Sequence, residues 1–114
     1  MLPQYHNYGT FLRGDTVPEK KFTFTQVIDG VASVIDLSTA AIRCEFSIDA
    51  TRKYTFTESN GIDATNAAQG EFTIEKFIPE WAGVYKYDIE ITFADGTVRT
   101  YVDGILDIKN DTTR

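Results

Sequence analysis

The sequence predicts an all-β protein, an antiparallel sandwich or barrel, from three observations. Several short segments alternate apolar and polar residues, turn signals separate them, and no window shows a convincing helical period. The clearest segment, 85–102, reads YKYDIEITFADGTVRTYV. The single cysteine, Cys44, excludes an intramolecular disulfide.

The size and composition of the chain fit one globular domain. Of its 114 residues, 42% are hydrophobic and 15 are aromatic (1 Trp, 6 Tyr and 8 Phe), which is ample for a core. The net charge is −6, and the acidic excess lies in residues 58–114, with eleven acidic and five basic residues. This distribution argues against a nucleic-acid partner. No apolar run approaches the roughly 20 residues of a membrane span, and the start lacks signal-peptide features.

We divide the chain into an N-terminal extension (1–11), one sandwich domain (12–110) and a polar tail (111–114). The extension carries Tyr5, Tyr8 and Phe11, too many aromatics for a free tail. We therefore expect it to dock, either on its own domain or on a neighbouring subunit, and we take these three residues as candidate partner contacts.

The earlier strands show the same alternation as the long segment. Four segments are predicted to be strands: 20–28, 40–49, 53–58 and 70–77. Asp29-Gly30 ends the first of them with a turn signal. Cys44 lies on the apolar side of the second, so we predict an inert core residue. The stretch 59–70 fits one helical turn but is better interpreted as a loop.

The long segment predicts a β-hairpin around Asp95-Gly96, residues that tolerate the positive φ of a tight turn. A two-residue turn pairs Phe93 with Val98 and keeps the apolar residues on one face. A three-residue loop would instead turn Arg99 and Tyr101 inward, so the pattern favours the first register.

Asp88 and Asp103 face each other across the hairpin in this register. A shared cation would relieve the repulsion between the two carboxylates. The simpler expectation is that the strands fray locally, or that the chain bends at Gly104, so that the carboxylates do not face each other.

Residues for catalysis or metal binding are sparse. The single histidine, His6, lies in the extension, far in sequence from Cys44, and one of each cannot form a structural zinc site. No glycine-rich phosphate loop or calcium-binding spacing is present. We therefore predict no enzyme activity, catalytic residue, metal site or cofactor.

Aromatic residues outside the apolar pattern are the remaining functional signal. Trp81 precedes the long strand and either covers one end of the core or makes a contact. Tyr101 and Ile105 fall on the polar side of the last strand and could mark a contact patch. In an alternative reading, the protein is a carbohydrate-binding module with Trp81 as the sugar platform.

The stretch EWAGVYKY (80–87) resembles the strand F signature of immunoglobulin-like domains. The resemblance implies an immunoglobulin-like β-sandwich in which Tyr85 is the corner tyrosine, its hydroxyl bonded to nearby backbone. Tyr87 stands where that family places the second disulfide cysteine, so we expect a sandwich without the bridge.

A longer resemblance runs from about Phe11 to Ile108. The ordered set of RGDT, KKFTFT, IDG, DLST, GEFTI, AGVYKYDIEI and DGTVRTYVDGILDI is similar to the N-terminal domain of tailed-phage baseplate upper proteins and related virion immunoglobulin-like domains. It implies a non-enzymatic structural or adaptor piece of a phage particle.

From this resemblance we predict a virion protein that is synthesised in the host cytoplasm and binds other virion proteins in a symmetric homo-oligomer or ring. Baseplate upper proteins continue into further structure, whereas this sequence stops at KNDTTR just after the last predicted strand. We therefore expect a small accessory: a neck, tail or baseplate adaptor, or a capsid decoration or fibre-attachment protein.

Overall fold

The computed structural model describes residues 4–110, which form an all-β sandwich with no disulfide. The predicted polar tail, 111–114, lies outside the described residues. The strands are β1 Gln4–Tyr5, β2 Gly9–Leu12, β3 Lys20–Thr23, β4 Thr25–Ile28, β5 Val31–Val34, β6 Ala41–Ile48, β7 Thr51–Thr57, β8 Ile62–Asp63, β9 Glu71–Ile74, β10 Gly83–Thr92 and β11 Val98–Lys109. A 3-10 helix, Ala67–Gln69, lies between β8 and β9 in the stretch interpreted as a loop.

The strands form two sheets and a separate hairpin. The larger sheet has the order β1-β11-β10-β6-β7, with β2 also paired to β11, and the smaller has the order β3-β9-β8. Strands β4 and β5 pair only with each other among the described strands. All pairings are antiparallel except those of β1 and β2 with β11, which are parallel. The predicted antiparallel sandwich is therefore confirmed, with a parallel edge that the sequence did not indicate.

The core lies between the sheets, on the faces that alternation predicts. The larger sheet buries Ile42, Cys44, Phe46, Tyr85, Tyr87, Ile89, Ile91, Val102, Leu106 and Ile108, and the smaller buries Phe22, Phe72 and Ile74. Cys44 is fully buried, as predicted, and this burial raises the pKa of its thiol. A buried thiol held protonated is a poor nucleophile.

The turn of the β10–β11 hairpin differs from the prediction. Phe93 N–H donates to the Thr97 carbonyl at 2.8 Å and Thr92 pairs with Val98, so the loop has three residues, 94–96. A β-bulge between Ile89 and Glu90 then restores the predicted pairing of Ile89 with Val102. The predicted register is wrong at the turn and right beyond the bulge, because an extra loop residue and an extra bulge residue cancel. Asp95 and Gly96 do form the turn, with Gly96 at φ +89°.

Residues 4–11 of the N-terminal extension are part of the larger sheet, so the predicted boundary at residue 11 does not separate two units. Strand β2 crosses that boundary, and between β1 and β2 the N–H groups of His6 and Tyr8 donate to carbonyls of β11 at 2.8 Å. The Tyr87 hydroxyl also donates to the His6 carbonyl at 2.6 Å. Gly104 permits this close approach, because a Cβ there would collide with the His6 carbonyl oxygen. The expectation that the extension docks is confirmed, and it docks on its own domain.

Tyr85 makes the hydrogen bond to nearby backbone that the immunoglobulin-like resemblance predicted. Its hydroxyl donates to the Trp81 carbonyl four residues earlier, at 2.6 Å. Burial raises the pKa of Tyr85 to about 12, so the hydroxyl stays a donor at any physiological pH. The neighbouring Tyr87, which the immunoglobulin-like resemblance aligns with the second disulfide cysteine, packs its ring against Phe46, with ring centroids 5.3 Å apart.

Candidate protein-contact site

The β4–β5 hairpin, residues 25–34, is the most exposed apolar element of the described chain; we call it the apical hairpin. All eight of its strand residues are exposed. The exposed fractions of its large apolar side chains are 71% for Val27, 56% for Ile28, 66% for Val31 and 42% for Val34. A typical surface hairpin buries one face against a core, and this one buries neither.

Both faces of the apical hairpin carry apolar side chains. Val27 pairs with Ala32 on one face, and Ile28 pairs with Val31 on the other, next to the turn. Asp29 and Gly30 form that turn with φ +50° and +79°. Asp29 is the one ionisable side chain between Thr25 and Val34, so the hairpin is nearly neutral on a chain of net charge −6. An isolated two-stranded hairpin is marginally stable in water, so a partner would stabilise it.

The base of the apical hairpin is firmly anchored to the sandwich. Phe24 N–H donates to the Gly70 carbonyl at 2.8 Å, and Ile35 N–H donates to the Phe24 carbonyl at 3.0 Å. The Phe24 ring packs against Phe72 and Tyr101, with centroids 5.3 and 5.0 Å away. A Cβ at Gly70 would lie 2.5 Å from the Phe24 carbonyl oxygen, so only glycine allows the base to approach this closely. The sandwich therefore presents the hairpin in a defined orientation.

The sequence predicted the first strand of this hairpin but not the second. It predicted one strand over 20–28 and a turn at Asp29-Gly30. In the structure that stretch forms two strands, β3 and β4, and the chain after the turn forms β5. The signal for β5 was present in VASV, an apolar tetrapeptide directly after the turn. Exposure could not be read from it, because an exposed strand and a buried strand with the same residues look alike in sequence.

The predicted contact residues of the extension divide into three environments. Tyr5 is 62% exposed and remains a candidate contact. Phe11 is partly buried and packs against the core. Tyr8 is a correction: it is a core residue with rings of Phe46 and Tyr87 edge-on at 5.4 and 5.2 Å. Its side chain cannot contact a partner while the extension stays docked, because the sandwich already covers it.

Tyr101 and Ile105, the predicted contact patch, are less exposed than their position on the polar side of the last strand indicated. Tyr101 is partly buried against the core, between Phe24 and Phe93. It supports the base of the apical hairpin, which is a different role from the surface contact we predicted. Ile105 is partly buried and lines an open pocket of about 480 Å³ on the outer face of the larger sheet, together with Tyr5.

Acidic side chains border the same outer-face pocket. Asp88 and Asp103 are paired across β10 and β11, as the hairpin register predicted. Desolvation, with Glu45 and Glu90 nearby, raises the pKa of the Asp88 carboxyl. Strand β11 continues through Gly104 without fraying. Across residues 4–110 there is no group of three or more His, Cys, Asp or Glu side chains that could hold a metal ion.

Trp81 lies at the end of the sandwich where β10 begins and is 44% exposed. Its ring centroid is 5.8 Å from that of Tyr54, and the Lys53 ammonium lies 4.8 Å from its ring centroid. One side of the Trp81 ring therefore packs against the protein and another side is accessible. The side chain can both cover this end of the core and make a contact, the two roles that the sequence left open. A ligand stacking on the Lys53 side would have to displace that ammonium group.

His6 makes local contacts. Its Nε2 lies 3.2 Å from Lys20 Nζ and its ring packs edge-on against Phe22. Burial and the Lys20 charge lower the pKa of the imidazole, so it is neutral at pH 7. Within the described part of the chain, no helix has the length and apolar character needed to cross a membrane.

Comparisons with known proteins identify no family for this chain. No family model matches the chain, and no curated protein matches it. Among solved structures, it is similar to a crystal structure of a "putative glycoside hydrolase" from Bacteroides vulgatus, with a TM-score of 0.46 and 16% identity. That similarity covers 90% of this chain and 16% of the other protein, so the chain spans about a sixth of that protein's length. A likeness this distant carries no argument about activity.

Proposed function

We propose that this protein is a non-enzymatic structural subunit of a phage particle that acts through protein–protein contacts. The observation that carries the proposal is the apical hairpin, an apolar element on a fixed base. The ordered resemblance to virion immunoglobulin-like domains supplies the context.

The exposed apolar surface of the hairpin favours binding over solubility. Val27, Ile28 and Val31 are each more than half exposed and lie within five residues. Contiguous apolar surface of this kind typically marks a protein interaction site. Burying it would release roughly 25 cal/mol for each Å² of apolar surface removed from water. Because the base is already fixed to the sandwich, the ordering cost of binding is small.

A particle component is a suitable setting for such a surface. Assembly places many copies next to their partners, so a hairpin that is costly to expose in solution is covered in the particle. The neck, the tail, the baseplate and the capsid surface all fit this requirement. The hairpin lies within the domain, so its use as a contact does not depend on what precedes or follows the chain.

Quantitative mass spectrometry of purified virions, from a phage that encodes this chain, tests the proposal. We expect a constant number of copies per particle, which matches one ring for a neck, tail or baseplate protein and the lattice for a capsid decoration protein. The variant Ile28→Ser/Val31→Ser should fold but be depleted from particles at least tenfold. The matched control Val98→Ser, at an exposed apolar position outside the hairpin, should be incorporated normally. Absence of the wild-type protein from clean particles would refute the proposal.

A second candidate is carbohydrate binding at Trp81, favoured by the half-exposed indole beside the Tyr54 ring. Because Trp81 is the single tryptophan, its fluorescence reports directly on that position. Saturable quenching by one member of a glycan panel, abolished in Trp81→Ala, would support this candidate. A flat response across the panel would eliminate it.

A further inference from the structure

A second apolar feature lies far from the apical hairpin. It is an open pocket of about 480 Å³ lined by Thr16, Lys76, Phe77 and Ile78, which we call the basal pocket. Ile78 is 57% exposed, and Phe77 packs its ring against Phe46 and Phe56 in the core. The pocket therefore has an apolar floor fixed by the core and an apolar wall that no described residue covers.

The hairpin and the pocket lie at opposite ends of the smaller sheet. At one end Phe24, at the base of the hairpin, is hydrogen-bonded to Gly70. At the other end Val17 bridges to Phe77. Val17 and Phe24 are seven residues apart in sequence, which corresponds to roughly 23 Å at the rise of an extended chain. The strands of the hairpin have four residues each, about 13 Å, so the hairpin cannot reach the pocket of its own molecule.

The tip of the hairpin and the pocket are complementary in chemistry. The tip presents Ile28 and Val31 on one face, with Asp29 at the turn. The pocket presents Ile78 as an apolar wall and Lys76 as a cation. Among residues 4–110 neither Asp29 nor Lys76 has an ion-pair partner. Docking would pair these charges and cover both apolar surfaces at once.

We infer that a second copy of this chain is the partner of the apical hairpin, with the hairpin tip of one copy docked in the basal pocket of the next. The inference rests on the proposed function, because it uses the same hairpin as the contact. A contact between two different surfaces is heterologous, so each added copy again presents a free hairpin and a free pocket. Such a contact generates a ring where the rotation closes and a filament where it does not.

Two variants that each remove one side of the contact test this geometry. Ile28→Ser/Val31→Ser removes the apolar tip, and Ile78→Ser removes the apolar wall of the pocket. All of these positions are exposed, so both variants should keep the wild-type melting temperature. We expect the wild-type protein to self-associate with rising concentration in sedimentation velocity, and each variant alone to associate at least tenfold more weakly.

An equimolar mixture of the two variants is the decisive sample. The pocket variant still has an intact hairpin and the tip variant still has an intact pocket, so the mixture should form 1:1 dimers and nothing larger. Dimers in the mixture support the head-to-tail contact. A mixture that stays monomeric, a hairpin-to-hairpin dimer of the pocket variant, or a wild-type protein that stays monomeric at millimolar concentration would overturn it.

Charge reversal gives a second test of the same contact. Asp29→Lys alone and Lys76→Asp alone should each weaken self-association, and the double variant should restore it within a few-fold. Val84→Ser, an exposed apolar position at the same end as the pocket but on the larger sheet, is the matched control and should behave as wild type. Failure of the double variant to restore association contradicts the pairing of these two charges.

Incorporation of the two variants into particles distinguishes a failure of this inference from a failure of the proposed function. If the tip variant is lost from particles while Ile78→Ser is incorporated normally, the hairpin is a virion contact whose partner is another protein. If both variants are incorporated normally, the hairpin is not the virion contact.

Discussion

Two hairpins of this protein have the same turn dipeptide and opposite environments. The β10–β11 hairpin turns at Asp95-Gly96 and buries one face along most of its length, whereas the apical hairpin turns at Asp29-Gly30 and buries neither face. The turn residues therefore specify that the chain reverses. Whether the strands become core or surface depends on what packs against them.

The contrast also separates two uses of apolar residues. From Tyr85 to Thr92 in β10 the apolar residues alternate with polar ones, because only one face meets the smaller sheet. In β4 and β5, Val27 and Ile28 are adjacent in sequence and point to opposite faces. Consecutive apolar residues in a short strand indicate either burial on both faces or contact with a partner. Here the structure excludes the first reading for the isolated chain.

Matched isoleucine truncations should separate the two hairpins most strongly. Ile91→Ala, at a fully buried position of β10, should lower the free energy of unfolding by about 3 kcal/mol, because it leaves a cavity. Ile28→Ala in the apical hairpin should change it by less than about 0.5 kcal/mol. Urea denaturation of the monomer measures both values. Equal losses would mean that the apical hairpin contributes to the core after all.

Matched glycine substitutions test whether the base of the apical hairpin is rigid and its tip free. Gly70 and Gly30 both have positive φ, +73° and +79°, so alanine is strained at both. At Gly30 a Cβ would meet no atom within 4 Å, and we expect Gly30→Ala to cost about 1 kcal/mol. At Gly70 the Cβ would also collide with the Phe24 and Ile35 backbone, and we expect a loss of about 3 kcal/mol. Thermal unfolding of both variants would show whether this order holds.

The core of the sandwich contains buried tyrosine hydroxyl groups, whereas the apical hairpin has no tyrosine. Tyr85→Phe removes a hydrogen bond to the Trp81 carbonyl and should cost about 1 kcal/mol. The Tyr8 hydroxyl is buried and has no hydrogen-bond partner among the described residues. Tyr8→Phe should therefore be neutral or stabilising by up to about 1 kcal/mol. Chemical denaturation measures the change in the free energy of unfolding for both variants. A clear loss of stability in Tyr8→Phe would reveal a hydrogen-bond partner for that hydroxyl.

The smallest expected effect concerns Asp88 and Asp103, the facing carboxylates of the β10–β11 hairpin. Because the folded-state pKa of Asp88 is raised, the folded protein binds this proton more tightly than the unfolded chain does. Stability from this group is therefore present below the ordinary pKa of 3.8 and is lost as pH rises through the raised pKa. Asp88→Asn should stabilise the protein by a few tenths of a kcal/mol at pH 7, because the group is solvent-accessible. That gain should vanish below about pH 3.8; a gain independent of pH would assign the effect to packing.

The sequence predicted those features that local pattern determines. Alternation located β6, β7, β9, β10 and β11, and it predicted the buried face of β6, β9 and β10 and of β11 beyond the bulge. The stretch EWAGVYKY predicted the backbone hydrogen bond of the Tyr85 hydroxyl. The parallel docking of the extension could not be predicted, because β1 and β2 are too short to show a period. The compensation between the three-residue loop and the bulge was also invisible, because each shifts the pattern by one residue and together they restore it.

The candidate site was harder to predict than the fold. Aromatic content directed attention to Tyr8 and Tyr101, which the structure places against the core. The exposed aliphatic residues of the apical hairpin resemble core residues in sequence, and only their position beyond both sheets distinguishes them. Exposure is a property of the assembled fold, so no local pattern contains it.

The parallel edge formed by β1, β2 and β11 has a mechanical consequence. Gln4 pairs with Val102 and Leu12 pairs with Lys109, so residues 4 and 110 lie at opposite ends of one ladder. Tension applied between them pulls along the strands and loads the backbone hydrogen bonds of the ladder in shear. Bonds in shear resist together, whereas bonds at a peeled end break one after another. A domain tethered through these two positions would thus yield at a high force and then extend abruptly.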